Sequence, residues 1–215
     1  MAATDRSAPA DGFEPREGDA LLVIDVQRDF CPGGALEVAD GDAVVPVANA
    51  LMARFDTVVL TQDFHPPGHA SFASEHPGRA PFESVTMPYG EQTLWPDHCV
   101  QGTPGAGFHP DLDTDRGQLV LRKGFRHAID SYSAFRENDR RTTTGLAGWL
   151  RERGVRRTVL VGLALDYCVR FSAEDARLEG FEAIVLESGC RGIDLDGSVA
   201  AAREALAAAG VALAP

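Results

Sequence analysis

"RRTVLVGLALDYCVRF" (156–171) opens as an apolar, β-branched run and passes without a break into a charged, amphipathic one. The first half, to Ala164, has the length and Val/Leu content of a strand buried on both faces. The second half keeps its apolar residues at helical spacing to about Glu179. Strand, tight turn and helix in that order form the unit of a parallel α/β sheet. The alternation recurs on either side. Upstream lie "ALLVID" (20–25), a helix face of Val44, Val47, Ala48 and Leu51, then "TVVLTQ" (57–62) and "QLVLRK" (118–123). Pro46 fits that helix only in its first turn. "TTTGLAGWLRERG" (142–154) reads as a helix closed by glycine. Downstream come "FEAIVL" (181–186), a helix striped by Val199, Ala202, Leu206 and Ala209, and a last strand, "VALA". The expected fold is α/β, an open, mostly parallel six-stranded sheet with helices on both faces in a Rossmann-type three-layer sandwich. The segment 63–117, rich in Pro, Gly and His, receives no element. A loop of that length in a compact domain marks function.

The chain of 215 residues suits one domain, placed at 20–215, behind a polar, loosely ordered tail at 1–19. That tail lacks the apolar core of a secretion signal, and no apolar run reaches the roughly 18 residues of a membrane span. A cytoplasmic protein with four reduced cysteines is expected. Lys and Arg number 20 against 32 Asp and Glu, a formal charge of −12, which repels nucleic acid. The expected partner is a small molecule, and nothing in the pattern selects between a monomer and a homo-oligomer.

Ligands of open α/β sheets bind beyond the carboxyl ends of the strands. The expected strands deliver Asp25, Asp63 with His65, Lys123, and Ala164 with Asp166 and Cys168 to that edge. With Asp166 as N-cap, Cys168 occupies the second helical position, where the helix dipole favours a thiolate. Its N–H, with that of Ala164, can hold an oxyanion. Asp25 can take the thiol proton and Lys123 can steady the anions. The alternative is a buried thiol packed against the sheet.

The long loop offers a second group. "QDFHPPGHASF" supplies Asp63, His65 and His69, and "WPDHCV" supplies His98. Two imidazoles and a carboxylate suit one divalent transition metal ion with open positions. Asp63, His65 and His98 are the expected ligands. His69 is an alternative, because "PPG" forbids the helix that would pair it with His65. "DLDTDRG" (111–117) falls short of a calcium loop, since its glycine comes a residue late and Arg122 stands where the bidentate Glu belongs. "DVQRDFCPGG" lacks the spacing of a dinucleotide fingerprint.

"DVQRDFCPGGAL", "TQDFHPPGHASFAS", "WPDHCVQGTPGAGFHP", "LRKG", "IDSYSAF" and "GLALDYCVRFSAEDA" together resemble the successive motifs of bacterial nicotinamidases (pyrazinamidases), within the isochorismatase-like hydrolase superfamily. The likeness runs in order from about Leu21 to Gly210. It implies Cys168 as nucleophile, Asp25 as proton acceptor and donor, and Lys123 as charge stabiliser. It further implies an oxyanion hole at Ala164 and Cys168 and a cis peptide before Ala164. Asp63, His65 and His98 would hold zinc, or else iron or manganese. Phe30 and Trp95 would sandwich the ring of nicotinamide or pyrazinamide, and Tyr132 would close the pocket. Leu165 departs from the threonine usual there. Three rivals stay open: a non-haem iron oxygenase, on the same ligand set; a metal-free hydrolase of isochorismate or a carbamoyl compound; and a non-catalytic binding module.

Overall fold

The computed structural model describes residues 13–215. In chain order its elements are β1 (Asp19–Ile24), α1 (Val44–Met52), β2 (Val58–Asp63), β3 (Ser84–Met87), β4 (Gly90–Thr93), β5 (Leu119–Lys123), α2 (Leu146–Glu152), β6 (Arg157–Leu163), α3 (Arg170–Leu178), β7 (Glu182–Arg191), α4 (Ser198–Ala208) and β8 (Ala212–Ala214). Six strands form one sheet, in the order β5-β2-β1-β6-β7-β8, and every neighbouring pair is parallel. Residues 1–12 of the expected tail lie outside the described residues. Just after them, Phe13 stacks on Phe55 with centroids 6.3 Å apart.

Period-two alternation divides β1 between two cores. Leu21 and Val23 face α1 through Val44, Ala48 and Leu51. Ala20, Leu22 and Ile24 face the layer of α2, α3 and α4 through Leu150, Ala173 and Leu206. All five of these β1 residues are at most 1% exposed, which explains why the strand reads as a continuous apolar run. Each fully buried Leu or Ile contributes roughly 1.5–3 kcal/mol of transfer free energy.

The elements differ from expectation where side chains turn to other partners. The helix expected over 142–154 starts only at Leu146, because the Thr144 hydroxyl donates to the Ala134 carbonyl at 2.6 Å. Strand β7 continues past Leu186 to Arg191, since Cys190 and Arg191 pair with Gly162 and Leu163 beyond an irregularity in register. Segment 63–117 also holds an antiparallel hairpin, β3 with β4, that the sequence did not disclose.

Chain direction decides where the site lies. From β1 the chain builds outward through β2 to β5, then returns to lay β6 on the other side of β1. The carboxyl ends of β1 and β6 therefore flank the crevice where the winding reverses. Gly162 permits their close approach: it has φ +119, and a Cβ there would stand 2.1 Å from the Ile24 carbonyl oxygen. The following peptide, Leu163–Ala164, is cis, as the resemblance implied.

Candidate active site

Four strand ends meet around Lys123, the last residue of β5. Its Nζ stands 2.8 Å from Asp25 Oδ2 and 2.6 Å from Asp63 Oδ1. It donates to the Ser131 carbonyl at 2.9 Å and to Cys168 Sγ at 3.4 Å. Lys123 is 1% exposed, and its charge persists there because two carboxylates face it. Burial alone would lower its pKa; Asp25, Asp63 and Cys168 outweigh that and hold it well above the usual lysine value.

Asp25 follows directly on β1 in the left-handed region, with φ 47. The Thr61 hydroxyl fixes it there, accepting the Asp25 N–H at 3.1 Å and donating to Oδ1 at 2.7 Å. Burial raises the Asp25 pKa, Lys123 opposes the rise, and Asp63 adds to it. Gln27 secures the neighbouring strand end: its amide donates to the Asp63 carbonyl and accepts the Asp63 N–H, both at 2.8 Å. Sequence reasoning missed Thr61 and Gln27, since both read as ordinary strand-end residues.

Cys168 requires a correction. The helix opens two residues earlier than expected, as a π-turn over Leu165–Val169 with Ala164 as the N-cap residue. Cys168 is thus the fourth residue of the turn, and Asp166 is not the cap. The Asp166 carboxylate instead accepts the N–H groups of Ile193 and Asp194, at 3.0 and 2.8 Å. Burial pushes the Cys168 thiol well above the usual range, Lys123 opposes this, and Asp25 and Asp63 reinforce it. Burial and two carboxylates prevail over the helix N-terminus. That direction favours the protonated thiol, which stands beside a carboxylate acceptor: Sγ and oxygens of Asp25 and Asp63 all lie within 4.8 Å of one another.

The second group assembles as expected. Ligand atoms of Asp63, His65 and His98 lie within 4.8 Å of one another, all buried. His65 Nδ1 lies 2.8 Å from the Gly124 carbonyl and His98 Nδ1 2.8 Å from the Pro96 carbonyl. Carbonyls only accept, so both Nδ1 atoms carry hydrogen, and in the neutral rings the lone pair is on Nε2. Those lone pairs approach Asp63 Oδ2, at 3.6 Å from His65 and 3.8 Å from His98. His65 Nε2 is buried and has no hydrogen-bond partner among the described residues. Three electron-rich atoms facing one another are complementary to a divalent cation, with each imidazole already oriented by a carbonyl. Glycine is required at 124, where φ is +63 and a Cβ would stand 2.5 Å from His65 Cε1.

His69 lies beside this group, its ring 4.4 Å from that of His65, but its nitrogens are engaged elsewhere. Nε2 faces the Arg126 and Ile129 carbonyls at 3.0 and 3.3 Å, and Nδ1 faces the Ser71 hydroxyl at 2.8 Å.

A cavity joins the two groups, lined by Cys168, Ala164 and the expected aromatics Phe30, Trp95 and Tyr132. Sequence reasoning missed Tyr167, whose ring meets Trp95 edge-on at 4.8 Å, and the buried Asp130. Leu165 points away into the core beneath α3, 4% exposed, where a threonine hydroxyl would sit among aliphatic neighbours. Among the described residues no helix is long and apolar enough to cross a membrane.

The chain is similar to known proteins over most of its length. The isochorismatase domain model matches residues 19–214. The chain is 52% identical to the nicotinamidase of Acinetobacter baylyi over 192 residues, 89% of this chain and 90% of that one. A nicotinamidase/pyrazinamidase structure from Acinetobacter baumanii superposes with a TM-score of 0.92 at 50% identity, covering 94% of this chain and 97% of that one. The pyrazinamidase of Pyrococcus horikoshii in complex with zinc gives a TM-score of 0.73 at 36% identity, covering 91% of this chain and 98% of that one.

Proposed function

The chain belongs to the isochorismatase family, and from that membership we infer that it is an amidohydrolase converting nicotinamide and water to nicotinate and ammonia. Pyrazinamide, which keeps the amide and a ring nitrogen at the same position, is the second substrate. The observation that carries this reading is one lysine ammonium in contact with Asp25, Asp63 and Cys168 Sγ together.

The roles follow from the contacts. Phe30, Trp95 and Tyr132 hold the ring, placing the amide carbon against Cys168 Sγ. As sulfur attacks, Asp25 takes the thiol proton, so the nucleophile is created only when it is used. Lys123, in contact with both groups, offsets the negative charge as it passes from the Asp25 carboxylate to Sγ. The N–H groups of Ala164 and Cys168 receive the developing oxyanion. Asp25 returns its proton to the departing nitrogen, ammonia leaves, and a thioester remains on Cys168. A water, its proton taken by Asp25, attacks the thioester; nicotinate forms and Cys168 regains its thiol hydrogen.

Asp63, His65 and His98 would hold a divalent ion. Zinc is our assignment, with iron or manganese as alternatives, because borderline imidazole and carboxylate ligands suit all three. When bound, such an ion would supply Lewis acidity to the cavity. We place the whole activity in residues 20–215, in the cytoplasm, feeding pyridine salvage.

Anaerobic assay of ammonia tests the reading. Wild-type protein is expected to release ammonia from nicotinamide without oxygen, to slow on chelation, and to recover with added zinc. Cys168→Ala is expected to lose about 10⁴-fold or more in kcat while still binding nicotinamide. A wild-type protein that releases no ammonia, or a Cys168→Ala variant that keeps its rate, overturns it.

A further inference from the structure

The two strands of the hairpin, β3 and β4, hold a single buried residue, Gln92, which is 0% exposed. Its side-chain amide reaches into the wall of the cavity. Nε2 shares its two hydrogens among three acceptors, the Thr93 carbonyl at 2.7 Å, the Tyr132 hydroxyl oxygen at 2.8 Å and Asp130 Oδ2 at 2.9 Å. A carboxylate only accepts, so the amide's orientation is fixed by Asp130. On its other side, Gln92 Oε1 accepts from Asn138 Nδ2 at 3.2 Å. Asn138 Oδ1 in turn accepts the backbone N–H of Tyr132 at 3.0 Å. Two side-chain amides, bonded to each other, thus hold Tyr132 at its main chain and at its hydroxyl.

We propose that Gln92 is a positioning residue for the hydrolysis, acting through Tyr132 to fix the wall against which the substrate ring binds. The inference rests on the reading of this cavity as the nicotinamide site. Its physical content is preorganisation. An aromatic wall held in place before the substrate arrives spares the complex the cost of ordering it, so the benefit appears in binding rather than in the chemical step. Gln92 itself stands behind Tyr132 and is absent from the residues lining the cavity.

Steady-state kinetics on a double-mutant cycle tests this. Gln92→Ala is expected to raise the KM for nicotinamide about tenfold, the equivalent of one net hydrogen bond, with kcat within about threefold of wild type. Tyr132→Phe, which keeps the ring and loses the hydroxyl, is expected to do the same. The double variant should be no more than about twofold worse than the worse single one, because both remove the same contact. Should Gln92→Ala not fold, Gln92→Met preserves the volume and takes its place in the cycle. An unchanged KM in the Gln92 variant, or increases that multiply in the double variant, overturns the role of Gln92 while leaving the nicotinamidase reading intact. A wild-type protein inert towards nicotinamide overturns both.

Discussion

Lys123 is the buried cation of the site, and its surroundings explain why the reaction can begin from a neutral thiol. Asp25 and Asp63 balance the ammonium, while burial, reinforced by the same two carboxylates, pushes the Cys168 thiol towards its protonated form. Charge separation on sulfur is deferred to the moment of attack. Replacing the lysine isolates this balance. Lys123→Met leaves two fully buried carboxylates facing each other without their shared cation. The expected outcome is destabilisation by about 3–5 kcal/mol, read from urea unfolding, together with loss of turnover. At this scale the sequence was informative about identity and less so about state. Asp25, Lys123 and Cys168 could be picked out because each lies at a strand end or in the turn just beyond it. The protonation of Cys168 was not, because a helix terminus is visible in sequence whereas two carboxylates from distant strands are not. Asp166 misled for a related reason, being a good N-cap type that serves the 193–194 backbone instead.

Among the elements, the turn after β5 shows how a backbone without side chains sets up a ligand. Gly124 offers its carbonyl to His65 Nδ1 and occupies space that a methyl group would contest with the imidazole. Gly124→Ala is expected to displace His65 and weaken metal retention by roughly 10–100-fold, measured by competition with a chelating dye, as for other losses of ligand support. Unchanged retention would show that the ring has room to adjust. The major strands and helices were legible from period and length, because burial on both faces writes an unbroken apolar run. The β3–β4 hairpin was not. Its strands are four residues each, with all but Gln92 exposed or half-buried, and joined by Pro88-Tyr89, which carries none of the Asn-Gly or Asp-Gly chemistry that marks a tight hairpin. Gln92 was invisible with it, since its burial depends on Asp130 and Tyr132 arriving from elsewhere.

For the molecule as a whole, the parallel sheet was the most predictable feature, since strand–helix alternation admits few topologies; its strand order was not read from the sequence. The partnering of 63–117 with the strand ends was the least predictable, because loops take their shape from contacts distant in sequence. An ion held by Asp63 and His65 at β2 and by His98 within that long segment would bind the folded state alone. Chelation is therefore expected to lower the melting temperature. At an ion concentration about a hundredfold over Kd, the lost stabilisation is about 2.7 kcal/mol. An identical melting curve with and without chelator would argue against a resident ion. The crossing from β5 back to β6 has one more consequence, for how the protein comes into being. Asp25 and Cys168 are separated by most of the chain, and neither half of the sheet contains both. Helices and local hairpins can form early during refolding, yet no such partial assembly possesses a working centre. Catalysis should return only in the slow, late phase that closes the longest loops.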